Sequence, residues 1–188
     1  VLMSKFVFHD TGFEGLGLVQ RKPFTDARGV FERLYCHDQL SQLAGDKTIR
    51  QANLSLTRKP GAVRGLHFQH PPFSETKIIS CVQGRVWDVA VDLREGSTTF
   101  LEHYAVELSS DAHNTLIIPE GFAHGFQALT MDCMLVYFHT ADFRAEEQGT
   151  FNAMDPRLNI GWPLDVTERS DKDLGAPPIP EDFAGLVQ

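Results

Sequence analysis

The chain has no uninterrupted apolar stretch approaching the roughly 20 residues that a membrane-spanning helix requires. It also lacks a charged-then-apolar leader with a small-residue cleavage site, and Val1-Leu2 ahead of Met3 reads as an addition before a start at Met3. A cytoplasmic protein with no membrane partner is expected. Cysteine is scarce: Cys36, Cys81 and Cys133 are odd in number and far apart, which fits free thiols in a reducing compartment better than a disulfide framework or a zinc pair. Basic residues are few as well, 17 against 25 acidic ones, giving a net charge of −8 with no basic cluster. Such a surface repels polyanions, so nucleic acid is not an expected partner, although scattered cations suffice for one small anionic ligand. Repeats, low-complexity tracts and linkers are absent, and the 188 residues are read as a single domain, 1–188, with a sizeable core.

What the chain does contain is a succession of short β-type runs. The pattern predicts strands over 49–56, 62–68, 77–82, 85–93, 100–108, 114–118, 122–129 and 133–139, separated by turn residues such as Pro119-Glu120-Gly121. Arg58-Lys59-Pro60-Gly61 reads as the turn of a hairpin joining the first two, and Gln83-Gly84 as another joining the next two. Asp26-Ala27-Arg28-Gly29 is a further turn. Asp38 is placed as the cap of a short helix carrying Leu40 and Leu43 and closed by Gly45-Asp46, the one helix expected before the C-terminal region. In 85–93 the alternation sets Asp88 and Asp92 on one strand face. From Asp155 onward the chain turns irregular and proline-rich. Regularly spaced strands with few helices imply an all-β sandwich or barrel.

The densest chemistry lies in Arg64-Gly65-Leu66-His67-Phe68-Gln69-His70. Arginine offers a rigid fork for phosphate or carboxylate, and histidine moves protons near neutral pH. Gly65-x-His67-x-x-His70 with Glu75 and Gly84, followed by Pro119-x-Gly121-x-x-His124, resembles the two cupin signatures. In a metal cupin His67, His70, Glu75 and His124 would converge on iron, manganese or zinc. On a regular strand, however, residues three apart point to opposite faces, so His67 and His70 do not both chelate without a bulge.

A longer set of words carries a closer resemblance. Asp26-x-Arg28-Gly29-x-Phe31, Gln51-Ala52-Asn53-Leu54-Ser55, Val63-Arg64-Gly65-Leu66-His67, Lys77, Gly84-x-x-x-Asp88-Val89-x-Val91-Asp92-x-Arg94, Ser97-x-Thr99-Phe100, Pro119-x-Gly121-Phe122-Ala123-His124-Gly125-Phe126, Asp155-Pro156 and Trp162-Pro163 resemble, in order, the dTDP-4-dehydrorhamnose 3,5-epimerase family. The resemblance implies a cupin-like double-stranded β-helix jelly roll with a few short helices, its segment from about residue 164 packing irregularly on the barrel. It further implies a metal-free, cofactor-independent homodimer that epimerises carbons beside the ketone of a nucleotide-linked 4-keto-6-deoxyhexose.

By the same resemblance His67 is the base, Asp173 its dyad carboxylate, Lys77 the cation near the keto oxygen and Tyr137 the opposite-face acid. Arg64, Gln51, Asn53 and His124 would hold the sugar and diphosphate, with Arg28 and Phe31 lent to the neighbouring subunit's nucleotide. Alone, Tyr137 reads equally well as a sheet aromatic, Lys77 as a solvated edge charge and Asp173 as a helix cap. Phe143 stands where the family tends to carry a second tyrosine, and Glu32 follows Phe31 directly where the family usually separates the two by one residue, so its carboxylate is expected to face the other side of that strand. Asp171 also neighbours the dyad position, where Asp173 is the better match. Two other readings remain open at this stage: a metal cupin oxygenase or isomerase, and a sugar-nucleotide binding module without catalysis.

Overall fold

A computed structural model describes residues 5–187, so the start read at Met3 lies outside the described residues. Numbered along the chain, one antiparallel sheet has the order β1 (Phe6–Asp10), β2 (Gly17–Arg21), β10 (Asn114–Ile118), β7 (Lys77–Gln83), β12 (Cys133–His139) and β5 (Gln51–Thr57). A second has the order β13 (Gln148–Thr150), β6 (Val63–Gln69), β11 (Phe122–Ala128), β8 (Arg85–Asp92) and β9 (His103–Ser109). A separate hairpin pairs β3 (Phe24–Asp26) with β4 (Gly29–Phe31), and two helices, α1 (His37–Ala44) and α2 (Asp171–Leu174), complete the set with a 3₁₀ turn at Ala145–Glu147. This is the cupin-like jelly roll. Among the described residues no helix is long and apolar enough to cross a membrane.

Three apolar clusters explain why the strands carry so many hydrophobic residues. Ile79, Cys81, Val86, Ala90, Leu116, Phe122 and Leu135 meet between the two sheets. Val63, Leu66, Val89 and Val91 face outward from the five-stranded sheet, where Phe151, Leu158, Ile179 and Leu186 of the C-terminal segment cover them. On the outer side of the six-stranded sheet, Leu40 and Ala44 of α1 pack with Phe6, Val19, Ile78 and Ile117. Central strands covered on both faces need no polar alternation. Each such buried aliphatic side chain contributes about 1.5–3 kcal/mol relative to exposure.

The jelly-roll connectivity overturns two local expectations. β5 and β6 are no hairpin: β5 pairs with β12, whereas β6 pairs with β11 and β13. Likewise β7 and β8 lie in different sheets, and Gly84 (φ +75°) marks a corner whose added Cβ would lie 2.5 Å from Thr130 Oγ1. In both places a turn carries the chain from one sheet to the other. The helix N-cap is Cys36, without a side-chain hydrogen bond, and Asp38 sits in the first turn instead, while Gly45 closes the helix as expected. Strands β1, β2 and β13 and the 3₁₀ turn had no counterpart in the sequence reading. The strand expected from 100 begins only at His103, since Leu101 adopts φ 62° in a turn.

Candidate active site

The site forms where β6, β8 and β11 of one sheet face β5, β7 and β12 of the other. A cleft of about 450 Å³ opens there, lined by Gln51, Asn53, Arg64, His67, Lys77, His124 and Tyr137. Eight of the ten residues singled out in the sequence are thus brought together once Asp173, hydrogen-bonded behind His67, is counted with those seven. Arg28 and Phe31 are not among them. They occupy the exposed β3–β4 arm, where Arg28 pairs with Asp26 and lines a separate surface depression with Phe24, Val30 and Phe31.

Strand register places the polar groups. His67 and His124 stand directly opposite each other on β6 and β11. Tyr137 of β12 faces Asn53 of β5, and His139 faces both Gln51 and Lys77. The β6–β11 contact is unusually close at Gly65 and Gly125, since a Cβ on Gly65 would meet Gly125 Cα at 2.6 Å and the His124 carbonyl oxygen at 2.7 Å. Gly65 also has φ +114°, a conformation that favours glycine.

His67 Nε2 lies 2.6 Å from Asp173 Oδ1, joining β6 to the start of α2. A carboxylate only accepts, so Nε2 carries the proton and Nδ1 keeps a lone pair. The Ser170 hydroxyl caps α2 by accepting from the Asp173 backbone N–H at 3.1 Å, which fixes the carboxylate's location, and Asp173 Oδ2 accepts from Gly65 N–H at 3.4 Å. Burial pushes the Asp173 carboxyl up, but the His67 hydrogen bond and charge outweigh it and hold the group below the usual carboxylate range. Asp171, the competing candidate, lies two residues earlier at the first position of α2, and it is Asp173 that reaches His67, so Asp173 is the partner by geometry.

Lys77 is almost enclosed, and its ammonium donates to the His67 carbonyl oxygen at 3.1 Å. His124 Nε2 sits 3.0 Å from both oxygens of Asp88, a carboxylate with no solvent exposure. Burial lowers the His124 pKa despite that neighbour, which favours a neutral ring. Tyr137 meets the His124 ring edge-on at 6.0 Å and stacks on His139 at 5.9 Å. Burial above all, aided by the Asp88 charge, pushes its phenol well above the ordinary value, so it remains a proton donor at neutral pH. Arg64 holds the Leu56 carbonyl at 3.1 Å and stays exposed at the rim, while Phe143 occupies the mouth with its backbone N–H on Gln51 Oε1.

The metal-cupin set does not assemble. His67 is committed to Asp173, His124 to Asp88 and Glu75 to His139, while exposed His70 packs its ring against Phe68 at 5.0 Å. Among the described residues no group of three His, Cys, Asp or Glu side chains is placed as metal ligands would be. Glu32 pairs with buried Arg21 at 2.9 Å and with His113 at 3.1 Å. The sequence reading missed Asp88 as the partner of His124 and missed His139 altogether. Period-two spacing held the signal for both, since Asp88 lies on the carboxylate-bearing face of β8 and His139 lies two residues past Tyr137.

Two facing sheets with a His–Asp pair, a buried ammonium and a phenol in the cleft between them define a cupin-like jelly roll equipped for acid–base chemistry. Within that class, residues 10–181 match the family model described as dTDP-4-dehydrorhamnose 3,5-epimerase, and the chain belongs to this family. Among curated relatives, the dTDP-4-dehydrorhamnose 3,5-epimerase of Sinorhizobium fredii (strain NBRC 101917 / NGR234) is 35% identical over 180 residues, covering 95% of this chain and 92% of its own. The dTDP-6-deoxy-D-glucose-3,5-epimerase of Legionella pneumophila Philadelphia 1, solved in complex with dTDP-4-keto-L-rhamnose, superposes with TM-score 0.90 at 32% identity over 97% and 99% of the two chains. NovW of Streptomyces spheroides, a 4-keto-6-deoxy sugar epimerase from the novobiocin cluster, gives TM-score 0.88 at 32% identity over 93% and 88%.

Proposed function

We propose that the protein is a cofactor-independent epimerase that inverts C3, C5 or both in a nucleotide-linked 4-keto-6-deoxyhexose, with dTDP-4-dehydro-6-deoxyglucose as the substrate to test first. The carrying observation is the convergence, from remote parts of the chain, of the His67–Asp173 pair with Lys77 and Tyr137 in one cleft. His67 Nδ1 takes the proton from the carbon beside the ketone, and the C–H electron pair moves through the new C=C bond onto the keto oxygen. Asp173 stabilises the imidazolium so formed. The Lys77 ammonium stabilises the enolate oxygen, an interaction that strengthens as charge develops. Tyr137, from the facing sheet, returns a proton to the other face, and the electron pair collapses back to the ketone with the centre inverted. Solvent then restores the protonation states of both side chains.

Arg64, Gln51, Asn53 and His124 hold the sugar and its diphosphate in this reading. Arg28 and Phe31 act across a homodimer on the neighbour's nucleotide, supported by the unpartnered apolar residues Phe24, Val30 and Phe31 on the β3–β4 arm. The enzyme works as one jelly-roll domain in the cytoplasm, and three unpaired thiols suit that reducing compartment. One comparison separates catalysis from mere binding: His67→Ala should abolish turnover of dTDP-4-keto-6-deoxyglucose while changing dTDP affinity by no more than about threefold. Unchanged turnover in this variant would remove His67 as the base, and absence of turnover in the wild type beside intact dTDP binding would leave the protein a binding module.

A further inference from the structure

Beside the groups assigned above, one buried polar cluster has no role yet. Glu75 precedes β7 by two residues, and His139 ends β12 directly across the ladder from Lys77. Both line the same cleft as Lys77, and the side chains of Glu75, Lys77 and His139 are only 8%, 8% and 10% exposed. Glu75 Oε2 lies 2.8 Å from His139 Nδ1, and Glu75 Oε1 lies 3.4 Å from Lys77 Nζ. His139 Nε2 in turn is 3.3 Å from Asn53 Nδ2. Because the carboxylate only accepts, Nδ1 of His139 carries the proton and Nε2 accepts from the Asn53 amide.

The hydrogen bonds therefore run in one direction. Asn53 donates to His139, His139 donates to Glu75, and Lys77 donates to the His67 carbonyl oxygen while forming an ion pair with Glu75. An ammonium has three N–H donors. One is committed to the His67 carbonyl oxygen and the Glu75 charge draws the ammonium to its side, which leaves N–H capacity for the cleft. Glu75 is also the carboxylate within ion-pair distance of Lys77 among the described residues. Burial pushes the Glu75 carboxyl up, but the His139 hydrogen bond and the Lys77 charge bring it below its ordinary value, so it is ionised at neutral pH.

We propose that Glu75, held in place by His139 and Asn53, is a positioning residue that aims the Lys77 ammonium at the keto oxygen and supplies its counter-charge. This rests on the reading of Lys77 as the enolate partner. The other charged or titratable groups facing the cluster are each engaged elsewhere or lie at the rim. His67 of β6 binds Asp173, His124 of β11 binds Asp88, Tyr137 shares β12 with His139, and Arg64 reaches the Leu56 carbonyl. None of them replaces Glu75 as the counter-charge. A buried ammonium without one gives up its proton more easily.

The test compares wild type, Glu75→Gln, His139→Ala and Lys77→Ala in kcat and KM for dTDP-4-keto-6-deoxyglucose across pH, with melting curves to verify folding. Glu75→Gln keeps the shape and loses the charge. It should lower kcat by about 10- to 100-fold with KM within about threefold, and should move the alkaline limb of kcat to lower pH by about one unit or more. His139→Ala, which frees the carboxylate without removing it, should give a smaller loss in the same direction and serves alone if Glu75→Gln does not fold. A wild-type profile in Glu75→Gln (or in His139→Ala where it serves alone) beside a collapsed Lys77→Ala overturns the positioning role while leaving the Lys77 reading intact. Loss of activity with an unmoved alkaline limb makes the cluster structural and overturns it equally. Wild-type activity in Lys77→Ala removes the reading on which the proposal rests.

Discussion

At the scale of single residues, the His67–Asp173 contact sets the sharpest expectations. Asp173→Asn keeps the side-chain shape but offers an N–H where the imidazole needs an acceptor, so the ring turns to the wrong tautomer. Its kcat should fall by about 10²- to 10⁴-fold, far more than the modest loss of melting temperature expected from removing a stabilising carboxylate, measured by product formation on dTDP-4-keto-6-deoxyglucose beside a melting curve. Tyr137→Phe should behave differently. His67 can still remove a proton and return a deuteron to the same face, so exchange in D₂O should outlast inversion and their ratio should rise at least tenfold by NMR. Equal loss of both would contradict the assignment of Tyr137 as the opposite-face acid. Arg64 and His67 were legible in the sequence because their chemistry is concentrated in one short, distinctive word, whereas Lys77 stood alone and was singled out through the family resemblance. Asp88 and His139 were harder to see, since each gains its meaning from a partner 36 or 64 residues away that only sheet pairing supplies.

At the scale of elements, strand positions were legible while strand partners were not. The runs at 114–118 and 133–139 coincide with β10 and β12, because flanking turn residues bound a β-branched or aromatic core on both sides. The turns at Pro60-Gly61 and Gln83-Gly84 looked like hairpins because a local turn signal says nothing of which sheet the chain enters next. The close β6–β11 approach adds its own prediction. Gly65→Ala would force a Cβ into the Gly125 backbone at a positive φ, and should cost about 2–4 kcal/mol in urea unfolding, with activity falling because His67 and His124 flank the same contact. Stability within about 0.5 kcal/mol of wild type would mean that the two strands can separate there without consequence.

At the scale of the whole molecule, buried carboxylates link stability to pH. Burial pushes Asp92 up, but hydrogen bonds from Arg94, Ser97 and Thr99 hold it below its ordinary value, as similar partners do for Glu75 and Asp173. The unfolded chain therefore binds protons at these groups at higher pH than the folded one. Their stabilisation is complete above the ordinary carboxylate values of about 3.9–4.3 and is lost as pH falls through the lower folded values. Urea midpoints should stay level from pH 7 to about pH 5 and drop steeply below about pH 4, and Asp92→Asn should lower the midpoint at pH 7 while flattening the acid limb. The proposed dimer gives a second expectation. Phe31, 76% exposed on the β3–β4 arm, should tolerate Phe31→Asp in folding, yet the change should shift sedimentation toward monomer and raise KM.

The most direct measurement is solvent exchange. Wild-type protein incubated with dTDP-4-keto-6-deoxyglucose in D₂O should incorporate deuterium at C3, at C5 or at both, with inversion at a carbon that exchanges, and His67→Ala should abolish the signal. Absence of exchange at both carbons, with this and several other nucleotide-linked 4-keto sugars, would contradict the epimerase assignment.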